Sequence, residues 1–180
     1  MNVTRTDLGL LLIEPDVHHD ERGYFLESYS YKALNKEMLR LGYPIVDFDQ
    51  DNHSYSNPGV FRGFHYQVPP YAQSKLIWVS HGEIMDMAID IRPGSLTYGE
   101  METFTLSNTN HRQLFIPQGF AHGFITLGGA KIHYKCDEYY RPGYEGGINP
   151  ADYVDMDLGR LIISQKDLDL PVFRKHRPFA

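Results

Sequence analysis

The stretch RGFHYQVPPYAQSKL, residues 62–76, sets an arginine, a glycine, a lone histidine, two prolines and a lysine within fifteen residues. Histidine is the side chain whose ordinary titration range best suits proton transfer near neutral pH, and a nearby cation favours its neutral, proton-accepting form. Lys75, ten residues beyond His65, opens the next hydrophobic run, and neighbouring strands would bring it beside the histidine. Strict alternation along GVFRGFHYQ puts Arg62 and His65 on opposite faces, and a bulge at Gly63 would bring both to one side. A histidine alone in such a run is more often a satisfied core side chain. The lysine shifts the reading toward a general base.

Three further stretches carry candidate chemistry. IPQGFAHGF, 116–124, has the Pro-x-Gly-x-x-His spacing of the second cupin motif, which places His122 just after a turn and pointing into a small barrel. A metal-binding cupin also needs a His-x-His pair. The partner segment here reads His65-Tyr66-Gln67, so the ligand set falls short of the three or more protein ligands that zinc, iron or manganese sites use. HYKCDEYY, 133–140, supplies three tyrosines. A tyrosine whose hydroxyl reaches a pocket can act as an acid, and Tyr134, Tyr139 and Tyr140 cannot all face one way. LIISQKD, 161–167, ends in Asp167, which reads either as part of a Ser-x-x-Asp helix cap or as the carboxylate that orients a histidine elsewhere.

Positioning these groups calls for many short strands. The chain has 180 residues, enough for one domain with a real core, with 42% hydrophobic, 13% aromatic and 22% charged residues, 16 glycines and 11 prolines. Strand candidates are LLLIEP, GYFLESY, GVFRGFHYQ, KLIWVSHG, EIMDMAIDIR, GEMETFTLS, QLFIPQG, HGFITLG and AKIHYKCDEYY, separated by turn residues roughly every ten positions. Such spacing predicts an all-β sandwich, jelly roll or barrel. The one helix predicted is YKALNKEMLRLG, 31–42, with Leu34, Met38 and Leu41 on one face and Gly42 as its stop. In EIMDMAIDIR, one face carries Met85, Met87, Ile89 and Ile91. The other, with Ile84, Asp86, Ala88 and Asp90, reads as solvent-facing or as the polar lining of a barrel mouth.

Composition also limits the partners. A net charge of −6 argues against nucleic acid, though a local basic pocket can still hold a phosphate. The single cysteine, Cys136, has no intrachain partner and reads as a buried thiol rather than a nucleophile. No stretch has a signal-peptide layout or approaches a membrane span, so a soluble cytoplasmic protein is expected, with no membrane partner.

Taken together, ERGYFLES, QDNHSYS, GVFRGFHYQVPP, QSKLIWVSHGEI, DIRPGSLTYG, RQLFIPQGFAHGF, YKCDEYY and SQKD resemble the dTDP-4-dehydrorhamnose 3,5-epimerase family, in order from about residue 8 to residue 171. The resemblance implies an all-β cupin jelly-roll barrel with short helices, a homodimer with strand exchange, a nucleotide-diphosphate sugar substrate, and neither metal nor organic cofactor. It also implies roles. His65 matches the catalytic base, Asp167 its hydrogen-bonded partner, Lys75 the lysine facing the sugar's C4 oxygen, and Tyr134 the acid on the opposite face of the ring. Arg62 and His122 match sugar- or phosphate-pocket positions, while Gln50, Asn52 and Ser54 match the substrate-contact strand. Arg22 and Glu27 resemble residues lent by the partner subunit to the nucleotide end, and Tyr140 an aromatic near the base or sugar.

The chain departs from the family pattern in one stretch. GGINPADYVDMDLGRLIISQKD stands where a Trp-Asn-Asp-Pro sequence and a second tryptophan are frequent; Trp78 is the only tryptophan, and Phe64 replaces a frequent leucine. The pocket wall is therefore expected to differ. Alternatives on the same fold are a 3-only or 5-only epimerase, a 3,4-ketoisomerase or a non-catalytic sugar-nucleotide binder, with a metal-dependent oxygenase disfavoured by its ligand count.

Overall fold

The computed structural model describes residues 1–155 and 157–180. Its strands are β1 (Asn2–Arg5), β2 (Leu11–Glu14), β3 (Val17–Asp20), β4 (Gly23–Leu26), β5 (Gln50–Ser56), β6 (Phe61–Gln67) and β7 (Lys75–His81). The rest are β8 (Glu83–Asp90), β9 (Met101–Ser107), β10 (Gln113–Ile116), β11 (Phe120–Thr126), β12 (Ala130–Cys136) and β13 (Glu145–Gly147). They form a six-stranded sheet in the order β1-β2-β10-β7-β12-β5, a five-stranded sheet in the order β13-β6-β11-β8-β9, and a separate β3-β4 hairpin. All these pairings are antiparallel. The two sheets face one another as a jelly-roll sandwich, as antiparallel strands with one core-facing side require.

Alternation along each strand sorts its side chains between two layers. Leu10, Ile77, Val79, Ile84, Ala88, Leu114, Phe124 and Ile132 fill the space between the sheets. The other side of β8 is buried too: Met87, Ile89 and Ile91 pack with Phe61, Phe64, Ile148 and Val154 under the C-terminal segment. Asp86 and Asp90 are fully buried, so the face shared by Ile84 and Asp86 is interior rather than solvent-facing.

The outer face of the six-stranded sheet is covered by α1 (Tyr31–Arg40), which places Leu34 and Met38 against Leu11, Ile13, Leu76 and Phe115. Each of those two side chains stabilises the fold by about 1.5–3 kcal/mol through burial. Ser30 caps the helix through Ala33 N, and Gly42, at φ 82°, turns the chain away at the end. The predicted helix over 31–42 thus ends two residues earlier than expected.

All nine strand candidates form. The strands that composition left out are β1, β3, β5 and β13. β5 lacks a hydrophobic alternation because its inward residues, Gln50, Asn52 and Ser54, line a cavity instead of packing in the core. No helix among the described residues is long and apolar enough to cross a membrane.

Candidate active site

A cavity of about 290 Å³ opens between the two sheets. β5, β7 and β12 of the six-stranded sheet supply Gln50, Asn52, Ser54, Lys75 and Tyr134; β6, β11 and β13 of the other supply Arg62, His65, His122 and Glu145. β6 and β7 therefore belong to opposing sheets, and Lys75 meets the histidine's pocket from across the barrel rather than from a neighbouring strand. The connection through Pro69 and Pro70 carries the chain from one sheet to the other.

The expected bulge is present. Arg62 and His65 pair with Phe124 and His122, so three steps along β6 match two along β11 and both side chains reach the cavity. Gly63 makes this possible. Its φ is 123°, and a Cβ there would lie 2.5 Å from Gly123 Cα and 2.7 Å from the His122 carbonyl oxygen.

His65 Nε2 lies 2.8 Å from Asp167 Oδ1. Asp167 sits in the short helix α2 (Gln165–Leu168), whose cap is Ser164, and its backbone N–H donates to Ser164 Oγ at 3.1 Å. Both features of this aspartate meet in one turn: Ser164 caps it, and the carboxylate lies within hydrogen-bond reach of His65. Burial works to raise the Asp167 carboxyl, but hydrogen bonds from His65, Gly63 N–H and Ser164 hold it below the usual carboxylate range. With Nε2 engaged by a carboxylate, the lone pair of neutral His65 belongs to Nδ1.

Lys75 pairs with Cys136 in the β7–β12 register, and Tyr134, two residues before Cys136, points to the same side. Burial pulls the Lys75 ammonium below its ordinary range, while the surroundings of Cys136, Asp86 and Glu145 pull it back up. Burial, with Cys136 adding to it and Arg62 opposing, pushes the Tyr134 phenol up, so it is protonated at neutral pH. Burial likewise raises the Cys136 thiol, and Lys75 only partly offsets this. Cys136 is buried, as expected, yet it also lines the cavity.

The rest of the wall is polar. His122 Nε2 lies 2.9 Å from Asp86 Oδ2. Arg62 Nε donates to Ser56 Oγ at 3.0 Å, and Gln50 Nε2 to Asn52 Oδ1 at 2.7 Å. Tyr140, half exposed at the mouth, donates to Glu145 Oε2 at 3.0 Å.

A histidine on one sheet, held by the Asp167 carboxylate from α2, faces a phenol and a lysine on the other sheet, which are groups able to exchange protons on two sides of one cavity. The family model for dTDP-4-dehydrorhamnose 3,5-epimerase matches residues 6–175. The chain belongs to that family. The Escherichia coli K12 dTDP-4-dehydrorhamnose 3,5-epimerase is 47% identical over 82% of this chain and 79% of its own, and the Shigella flexneri one 42% identical over 94% of each. A crystal structure of a Legionella pneumophila dTDP-6-deoxy-D-glucose-3,5-epimerase in complex with dTDP-4-keto-L-rhamnose is 41% identical, with a TM-score of 0.88 over 97% of this chain and 93% of that one.

For an epimerase of this family, the remaining expectations fall in different places. Arg22 and Glu27 lie at the β3-β4 hairpin, exposed and outside this chain's own cavity, with Arg22 paired to Asp20. Tyr139 is exposed and does not line the cavity. Phe64 is fully buried in the outer core, so it does not form the pocket wall. Trp78 lies on the outer face of β7, stacked at 11° on His133. In the divergent segment, Asn149 caps a turn through Ala151 N and donates to the Leu168 carbonyl at 2.6 Å, which ties the segment to α2; Met156 lies outside the described residues.

Sequence reasoning missed Glu145. Its Oε1 lies 3.3 Å from His65 Nδ1, and its carboxylate takes two contacts from Lys166 Nζ, at 2.9 and 2.8 Å. A strand of three residues has no periodicity to read, and Glu145 reaches His65 only because β13 pairs with β6.

Proposed function

We propose that this protein epimerises a dTDP-4-keto-6-deoxyhexose at C3 and C5 through an enolate, with His65 as base and Tyr134 as acid. The observation that carries the reading is the placement of His65 and Tyr134 on opposing sheets across one cavity. Inversion beside a ketone requires removal of a C–H proton from one face of the ring and delivery of another to the opposite face. The 4-keto group acidifies both C3 and C5, so one enolising machine serves both centres.

His65 Nδ1 takes the proton; the C–H electron pair moves onto the carbonyl oxygen; Asp167 stabilises the resulting imidazolium. Lys75 faces the developing enolate oxygen, and a donor preorganised in this way is worth about 3–4 kcal/mol in the transition state. Tyr134 then protonates the carbon from the other side. Arg62, His122, Gln50, Asn52 and Ser54 hold the sugar and its phosphates. Binding energy from the remote nucleotide and diphosphate fixes the ring over the base. Tyr140, an aromatic at the mouth, offers its ring to the nucleotide base or the sugar.

The active unit is a homodimer. The β3-β4 hairpin is separate from both sheets and exposes Tyr24 at 54% and Phe25 at 69%, and Arg22 and Glu27 are exposed and do not line their own cavity. A second copy gives that hairpin something to cover and gives those two residues a substrate to touch.

The test is incubation with dTDP-4-keto-6-deoxyglucose in heavy water, read by mass spectrometry and proton NMR. Deuterium at both C3 and C5, with inverted product, is expected. Exchange at C3 alone makes the protein a 3-only epimerase, and binding without any exchange makes it a silent sugar-nucleotide binder.

A further inference from the structure

Each inversion leaves the enzyme in the wrong protonation state for the next. His65 ends with an extra proton and Tyr134 ends without one. The base must therefore lose its proton before another C–H bond can be broken, and the structure limits where that proton can go. On the Nε2 side stands Asp167, whose side chain is only 7% exposed and is backed by the α2 cap. On the Nδ1 side stands Glu145, 20% exposed, with Oε1 at 3.3 Å. Nδ1 itself is buried and makes no hydrogen bond among the described residues. Glu145 thus occupies the approach that the sugar's C–H must use, so carboxylate and sugar take turns at that nitrogen.

We propose that Glu145 resets the base. Once the sugar has moved off Nδ1, the Glu145 carboxylate closes over it, the Nδ1–H bond breaks, and the proton passes to Glu145 Oε1. The imidazole becomes neutral and the carboxyl group passes the proton to water at the pocket mouth. Water supplies one proton to the Tyr134 phenolate, so protons and charge balance over the cycle.

The surroundings of Glu145 suit a group that passes a proton on rather than keeping it. Lys166, whose side chain is 60% exposed, holds both carboxylate oxygens, and Tyr140 donates to one of them. Burial works to raise the Glu145 carboxyl, but the bonds from Lys166 and Tyr140 and the proximity of His65 keep it below the usual range. The titratable groups facing it are His65 on β6, Lys75 on β7, Tyr140 in the preceding loop and Lys166 on α2. Three of these are cations or become cations, which favours release of the proton to solvent over its retention.

This inference rests on the epimerase reading, and the experiment separates the two. Turnover of dTDP-4-keto-6-deoxyglucose is measured for the unmodified protein and for Glu145→Gln at fixed pH over a series of imidazole buffer concentrations. Glutamine keeps the shape and cannot accept the proton. In Glu145→Gln, kcat is expected to fall about 10²-fold or more, within the range of a positioned acid–base group, with KM little changed. It should climb back as imidazole, a small diffusible base, is added. Lys166→Ala, at an exposed side chain that leaves the fold intact, should move the acid limb of the kcat profile to higher pH, because a carboxylate without its cation stays protonated to higher pH. A raised KM alone, a lowered kcat that ignores buffer, or an unmoved acid limb in Lys166→Ala would each overturn the reset while leaving the epimerase reading standing. An unmodified protein that neither exchanges nor inverts the sugar would overturn both.

Discussion

Asp86, fully buried on β8, lies 2.9 Å from Nε2 of His122 through one oxygen, while its other oxygen makes no hydrogen bond among the described residues. One carboxylate therefore orients a pocket histidine and contributes negative potential at Lys75. An interior carboxylate with a free lone pair is costly, which marks it as serving the pocket rather than the core.

Replacing Asp86 tests that double duty. Asp86→Asn should lower kcat/KM by roughly 10–100-fold, the equivalent of about 1.5–3 kcal/mol for a hydrogen bond to a charged group. The alkaline limb of the pH profile should move to lower pH. Burial already pulls the Lys75 ammonium down, and removal of a nearby negative charge lets it fall further, so the cation is lost earlier as pH rises. Steady-state kinetics between pH 6 and 10 read both effects; an alkaline limb that stays in place would dissociate Asp86 from Lys75.

The division between the two ring faces is checked with isotopes. His65→Ala should abolish deuterium exchange at both C3 and C5, a loss of about 10²–10⁴-fold. Tyr134→Phe keeps the ring and should still exchange on the His65 face while forming inverted product slowly. Equal losses of exchange and inversion in Tyr134→Phe would mean that the tyrosine also takes part in forming the enolate.

Light scattering should give twice the 20.8 kDa chain mass. Arg22→Ala should depress activity although Arg22 lies outside its own chain's cavity. Mixing it with a Lys75→Ala protein should restore part of the activity, since a mixed dimer contains one site with both residues native. A fully active monomer would refute the lent-residue arrangement.

Gly63→Ala should destabilise the fold by about 2–5 kcal/mol, combining a left-handed backbone with a Cβ driven into β11. Urea denaturation measures it, and a midpoint close to the unmodified protein's would mean that the bulge relaxes without cost.

Asp90 gives a pH signature of stability unconnected with catalysis. Burial opposes its ionisation, but hydrogen bonds from Arg92, Ser95 and Thr97 outweigh that and bring its pKa down to about 2. A carboxyl depressed in the folded state contributes stability that is present above its unfolded pKa and lost as pH falls through its folded one. The contribution is about 2 kcal/mol and should vanish as pH is lowered from about 4 to about 2. In Asp90→Asn that acid-dependent part should be missing from denaturant midpoints measured across the same window.

The sequence by itself determined the β architecture, because nine hydrophobic strands and the turns between them are written in local alternation, and it determined α1 through Leu34, Met38 and Gly42. Residue types and order also marked His65, Lys75, Tyr134 and Asp167, since long motifs carry them. The tertiary structure alone decided how they meet. β6 and β7 look like neighbours along the chain but lie in opposing sheets, which puts Lys75 across the pocket from His65. β5 was hidden because its inward side chains are polar for the cavity's sake, so the pattern that reveals a core strand is absent there. Glu145 was hidden for a different reason: its contact with His65 spans eighty residues and depends on a three-residue strand whose pairing is set by β6, not by anything local to it. Periodicity reports which side of an element meets the core; only long-range strand pairing determines which side chains share a pocket.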